Sequence, residues 1–169
     1  MGVRKTPVAV LGVVLVALSV WAVNQLVNPN FVTDLSGWIA SGWAISWTGT
    51  EGNIGLGALR AVATSAGPSI GMHAAEQCTT ATDGVVYDFG GAFKIEPTST
   101  QTGGGRLRVR WWTWVGCTGT PTIGGNADPV TVGGWQALAV VNEVAPAGTQ
   151  SVTMELIQVV DATGDFIAY

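Results

Sequence analysis

The sequence predicts an all-β sandwich, and three observations predict it. Glycine, serine and threonine are abundant while only 11% of the 169 residues are charged, so the lysines and glutamates that usually coat helices are scarce. The apolar residues recur with period two rather than 3.6. Turn-forming clusters then cut the chain into short runs, a spacing typical of a sandwich or barrel. With 47% hydrophobic residues the chain can bury a substantial core as one domain.

Taken in order, Met1 to Ala22 has Arg4 and Lys5 before an apolar run from Val8 to Val20, and Val20-Trp21-Ala22 fits a small-residue cleavage pattern. Residues 1–22 therefore read as an N-terminal signal helix for export, with an uncleaved anchor as the alternative; the run is shorter than the roughly 20 residues of a spanning helix. The domain proper is expected over 23–169. Val85 to Ile95 reads as a strand interrupted at Gly90-Gly91, where a bend or bulge is expected. Leu107, Val109, Trp111, Thr113 and Val115 alternate with Arg108, Arg110, Trp112 and Trp114, the most legible strand of the chain. Gly116 to Gly134 reads as a surface loop. Trp135 to Val141 and Val152 to Gln158 alternate as strands, and Phe166 to Tyr169 as the start of one more. Asp83-Gly84, Thr102 to Gly105, Gly124 to Asn126, Gly133-Gly134 and Ala145 to Gly148 supply the turns.

The formal charge is −4, and without Arg4 and Lys5 the remaining chain is more acidic still. That balance does not suit nucleic acid or an anionic membrane. In an exported chain Cys78 and Cys117 are expected to pair as a disulfide, which by loop closure would stabilise the fold by roughly 4 kcal/mol. Metal binding by the two thiols lacks companion ligands.

No catalytic constellation is legible. Gly67-Pro68-Ser69-Ile70-Gly71 spells a nucleophile elbow, but His73 follows with no acid between them and no strand-to-helix setting. His73 is the sole histidine, so histidine metal clusters within one chain are excluded. Gly55-x-Gly57 lacks the third glycine and the βαβ context of a dinucleotide site. The carboxylates are scattered. Glu155 with Asp88 is the only pair that invites a glycosidase comparison, and solvated or ion-paired side chains are the simpler reading.

Leu26 to Phe31, followed by Leu35-Ser36-Gly37-Trp38, resembles the start of jelly-roll carbohydrate-binding modules of families 4, 9, 16 and 22. Gly55 to Val62 resembles their Gly-x-x-Ala-Leu-Arg-Val strand. Tyr87-Asp88-Phe89 before Phe93, the arginine-rich strand before Cys117, and Trp135 before Ala145 to Thr149 with Val152 resemble the middle and last third. The resemblance spans nearly all of residues 26 to 169 and implies a jelly-roll antiparallel β-sandwich without catalytic activity. It also implies a structural calcium ion near the two ends, although Val32 stands where a glutamate is common and the paired aspartates of the closing strand are absent. A shortened final strand from Phe166 to Tyr169 would leave an open sheet edge and invite self-association.

Seven tryptophans lie outside the signal. Sugar rings stack their C–H faces on flat aromatics, and their hydroxyls need fixed polar partners. Arg108, Arg110, Trp112 and Trp114, with Glu155, would offer both toward a polysaccharide. The competing reading has Trp112 and Trp114 covered by the loops around Cys117, with the arginines packed over them. Trp38, Trp43 and Trp47 read as packing residues. The expected protein is secreted or surface-exposed and binds a glycan, or is a structural module that assembles through its open edge.

Overall fold

A computed structural model describes residues 25–40, 44–53, 57–62, 72–95, 105–127, 133–158 and 165–168. The export segment, Trp43 and Ser69 lie outside the described residues.

The strands are β1 (Ile39–Ala40), β2 (Ala44–Thr48), β3 (Ala58–Val62), β4 (Met72–Thr80), β5 (Val86–Ile95), β6 (Gly105–Trp112), β7 (Thr122–Ala127), β8 (Gln136–Val144), β9 (Ser151–Gln158) and β10 (Asp165–Ala168). They form two five-stranded sheets, β1-β4-β9-β6-β7 and β2-β3-β10-β5-β8, paired antiparallel throughout. The chain crosses repeatedly from one sheet to the other, as a jelly roll requires. No helix occurs among the described residues.

Alternation places the core. Leu107, Val109 and Trp111 of β6 and Val152, Met154 and Leu156 of β9 are buried against Leu59, Ala61, Phe93, Leu138 and Val140 of the opposite sheet. Trp111 meets Tyr87 and Phe89 with ring centroids 5.7 Å away in each case. These aromatic pairs lock the sheets together beyond the area they bury.

Four expectations are corrected. First, 116–134 is not one loop, because β7 runs through it. Its glycines hide the strand pattern, and packing requires them: a Cβ at Gly124 would stand 2.6 Å from Trp111 Nε1, and one at Gly125 2.3 Å from Val140 Cγ1. Second, β6 ends at Trp112 rather than continuing to Val115. Trp112 O accepts the Gln150 N–H, Gly116 and Cys117 take φ of 71° and 54°, and Thr113 and Val115 become exposed instead of entering the core. Third, Gly90 and Gly91 pair regularly with Ala139 and Leu138. The register shift lies between Tyr87 and Phe89, opposite Asn142 at φ 58°, whose N–H donates to Asp88 Oδ1 at 2.7 Å.

Fourth, the last strand is not an edge. β10 lies between β3 and β5 and pairs with both, so among the described residues the outermost strands are β1 and β7 in one sheet and β2 and β8 in the other.

The N-terminal segment closes one end of the sandwich. Gln77 makes a two-point bond to the Val27 backbone, at 2.6 Å to its N–H and 2.9 Å to its carbonyl. Phe31 is buried against Trp38, and Trp47 Nε1 donates to Phe31 O at 2.7 Å. Gly57 passes so close beneath this contact that a Cβ would lie 2.0 Å from Phe31 O. Trp38 and Trp47 are thus packing residues, as expected, although Trp47 keeps 42% of its surface exposed.

Candidate carbohydrate-binding face

Cross-strand register assembles the site on the outer face of the sheet that contains β6 and β9. In an antiparallel pair directly opposed residues share a face. One row therefore reads Glu76 on β4, Glu155 on β9, Arg108 on β6 and Asn126 on β7. The next rows bring Cys78, Thr153 and Arg110 together, and then Thr80, Ser151 and Trp112. Arg106 stands opposite Ile157 on the other side of the Glu155 row. Side chains distant in sequence become one strip.

Glu155 anchors that strip. It was expected on the outward phase of its strand, and it is there, yet it is fully buried. A buried carboxylate is tolerable only with charged or hydrogen-bonding partners. Arg108 Nε lies 2.5 Å from its Oε2, and Arg110 Nε makes an ion-pair contact of 2.9 Å with Oε1. The arginine side chains keep 16% and 22% of their surface exposed. They cover the glutamate and keep it from solvent. Thr153 and Ile157, also on the outward phase of this central strand, are buried in the same way.

The tryptophans divide. Trp112 is half-buried, and its Nε1 donates to Thr153 Oγ1 at 2.6 Å, which fixes the ring against the sheet. Trp114 lies off the strand, on the β6–β7 connection, with 67% of its surface exposed. That connection is pinned from below: Ser151 Oγ donates to Trp114 O at 2.5 Å and accepts the Cys117 N–H at 3.0 Å. The disulfide of Cys78 and Cys117 ties the same loop to β4. Gly119, at φ 91°, passes near enough that a Cβ would meet Trp114 Cδ1 at 3.2 Å. The loop thus covers Ser151 and leaves Trp114 open. Trp114 is thus not covered by the loop around Cys117, and Trp112 is half-buried.

Asp88 and Glu155 are not brought together. Tyr87 and Phe89 point into the core, so Asp88 faces outward from the opposite sheet, where it receives the Asn142 N–H. A facing pair of carboxylates from these two residues is excluded by the sandwich itself. His73 stands on β4, opposite Ile157 in backbone register.

The calcium ion that the resemblance implies does not fit the N-terminal turn. Val32 is apolar and exposed, and Asp34 Oδ1 already accepts from Ser36 N–H, Ser36 Oγ and Asn28 Nδ2 at 2.9, 2.7 and 3.1 Å. The Ser36 backbone N–H and then its hydroxyl hold the Asp34 carboxyl below its ordinary range. Among the described residues no group of three histidine, cysteine, aspartate or glutamate side chains could hold a metal ion.

Solved structures share this fold. The xylanase 10B CBM22-1–GH10 modules of Clostridium thermocellum, complexed with xylohexaose, superpose with a TM-score of 0.60 at 19% identity, over 83% of this chain and 26% of that one. A family 16 carbohydrate-binding module gives 0.58 at 17% identity, over 86% and 95%. The fold is that of the family 16 and 22 carbohydrate-binding modules. The CBM22-1 xylan-binding domain of Paenibacillus barcinonensis Xyn10C gives 0.58 at 16% identity, over 82% of this chain and 86% of that one. This chain spans about a quarter of the first of these proteins and most of the other two. No family model and no curated protein sequence matches the chain. The neighbours include isolated modules as well as a protein that carries a GH10 module.

Proposed function

We propose that this protein is an exported, non-catalytic polysaccharide-binding module, and that its ligand lies along the outer face of β6 and β9. The observation that carries the reading is the strip itself. Two guanidiniums are held at fixed positions by one buried carboxylate, Glu155, with Trp112 at the end of β6 and the exposed Trp114 on the tethered loop beyond it. Rigid polar groups beside aromatic surface are what a sugar chain needs, because each pyranose offers hydroxyl edges and C–H faces together. Trp114, and the exposed part of Trp112, stack sugar rings. Arg108 and Arg110 donate hydrogen bonds, and Glu155 positions both arginines without touching the ligand.

Two structural neighbours support the ligand class, one complexed with xylohexaose and one described as a xylan-binding domain. Export is supported by the basic and apolar pattern of residues 1–22 and by the disulfide, a bond that persists in oxidising compartments. A fold alone does not assign a ligand, so the site has to be tested directly.

Affinity electrophoresis through gels that contain soluble polysaccharides tests the reading. The wild-type protein is expected to be retarded on at least one polymer, with Trp112→Ala/Trp114→Ala migrating freely. Folded protein that migrates freely on every polymer overturns the proposal, as does a double mutant retarded as strongly as the wild type.

A further inference from the structure

Over a short span β7 carries one residue more than β6. Arg108 pairs with Asn126 and Arg110 with Ile123, so two steps on β6 match three on β7. The extra residue lies in Gly124-Gly125, and both glycines turn toward the core. A Cβ on Gly124 would meet Trp111 Nε1 and Val109 Cγ1, and one on Gly125 would meet Val140 Cγ1. Two successive residues on one face make a β-bulge, and every residue beyond it changes side. Regular alternation counted from Asn126, which shares the outer face with Arg108, would send Ile123 into the core. The bulge instead turns Ile123 outward beside Arg110, with 63% of its surface exposed.

Ile123 enters aromatic company there. It stands diagonally across from Trp112, and diagonal neighbours of an antiparallel pair lie roughly 7–8 Å apart, within reach of an aromatic side chain. The loop that joins β6 to β7 carries Trp114 and Val115, 67% and 66% exposed. On the other flank of β6 the surface is closed, because Ser151, Thr153, Glu155 and Ile157, the outward residues of β9, are all buried. A ligand seated on β6 therefore meets open side chains toward β7 and none on β9. Adjoining exposed apolar groups mark binding surfaces, whereas scattered ones are ordinary. Ile39 supplies the contrast on the same face: it is 61% exposed on β1, opposite Glu76, and neither β1 nor β4 holds an aromatic residue.

We infer that the carbohydrate surface extends from β6 onto β7, with Ile123 as a third apolar contact beside Trp112 and Trp114 and the Gly124-Gly125 bulge as the device that presents it. This extension rests on the carbohydrate-binding reading above and adds the strand on which the sugar chain continues. The C–H face of a pyranose packs on aliphatic as well as aromatic surface, since both contacts remove apolar area from water.

Affinity electrophoresis through soluble xylan, mixed-linkage β-glucan, galactomannan and polygalacturonate, each over a range of concentrations, tests it, with urea unfolding of every variant alongside. On the polymer that retards the wild type most, Ile123→Ser is expected to bind roughly five- to tenfold more weakly, as loss of one partly buried aliphatic contact gives, with its urea midpoint unchanged. Ile123→Leu, which keeps an aliphatic surface, is expected to stay within about twofold of the wild type, and Ile39→Ser to match it. Ile123→Ser bound as tightly as the wild type, while Trp114→Ala is not, overturns the extension and leaves the carbohydrate-binding reading standing. A lowered urea midpoint in Ile123→Ser overturns it by assigning the side chain to packing over Arg110, and an equal loss of binding in Ile39→Ser overturns it as a general effect of surface apolarity. Folded wild-type protein retarded by none of the four polymers overturns both readings.

Discussion

Replacing Glu155 by glutamine probes the centre of the strip. The side chain is fully buried and holds Arg108 Nε at 2.5 Å and Arg110 Nε at 2.9 Å. Glutamine preserves the shape but removes the charge, and turns one acceptor oxygen into an NH2 donor that faces a guanidinium. Breaking a buried ion pair from one side costs about 3–5 kcal/mol when the surviving charge is fully buried. Here the surviving arginines are partly hydrated, at 16% and 22% exposure, so a loss of roughly 2–4 kcal/mol is expected, with Tm falling on the order of 10 °C for a domain of this size. Urea unfolding followed by tryptophan fluorescence reads the free energy, and an unchanged m value confirms that the same surface is exposed. A triple variant, Arg108→Met, Arg110→Met and Glu155→Leu, should recover much of the loss, since a buried charge cluster can be replaced by apolar groups at little cost. Glu155→Gln within about 0.5 kcal/mol of wild type would refute the reasoning. So would a triple variant no more stable than Glu155→Gln, which would assign the cost to packing instead.

Three further outcomes follow from the packing. Gly125→Ala forces a methyl group to within 2.3 Å of Val140 Cγ1 and 2.9 Å of Glu143 Oε1 and should destabilise by about 1–3 kcal/mol; Gly134→Ala, with nothing within 4 Å, is the control and should stay within about 0.5 kcal/mol by the same urea titration. Removing both Cys78 and Cys117 as alanines should cost about 2–4 kcal/mol and speed hydrogen exchange across 113–120, whereas unchanged exchange would show that the Ser151 bonds hold the loop alone. β5 pairs with β8 over Val86–Phe93 but with β10 only over Phe93–Ile95, so a chain prolonged past Tyr169 by alternating apolar and polar residues should extend β10 along β5, raise Tm and protect the β5 amides; an unchanged Tm and monomer fraction would count against this.

Much of the architecture was legible because a half-buried sheet imposes period two on its own sequence. Leu107, Val109 and Trp111 face the core as their alternation with Arg108 and Arg110 predicts, and so do Val152, Met154 and Leu156. Local pattern failed where the decisive contact came from another strand. β7 was hidden because Gly124 and Gly125 answer to Trp111 and Val140 in close approach and not to strand propensity. Trp114 was assigned to the strand because nothing in residues 105–115 announces the hydrogen bonds offered by Ser151, the first residue of β9, and by Gln150 just before it. The bend assigned to Gly90-Gly91 sits instead where Asn142 of the neighbouring strand requires an extra residue.

The sequence by itself determined the fold class, the disulfide partners, the outward stripe of Arg108, Arg110 and Trp112, and the absence of a legible catalytic motif, since each depends on residue type and short-range spacing. Only the tertiary structure decided what the stripe does. Sheet register sets Glu155 between two arginines 45 to 47 positions away in sequence and buries it under them, places β10 in the interior of its sheet, and turns Trp114 outward on a tethered loop. Those outcomes depend on which strands become neighbours, and strand order is chosen by the joint burial of both sheets, which no local pattern encodes.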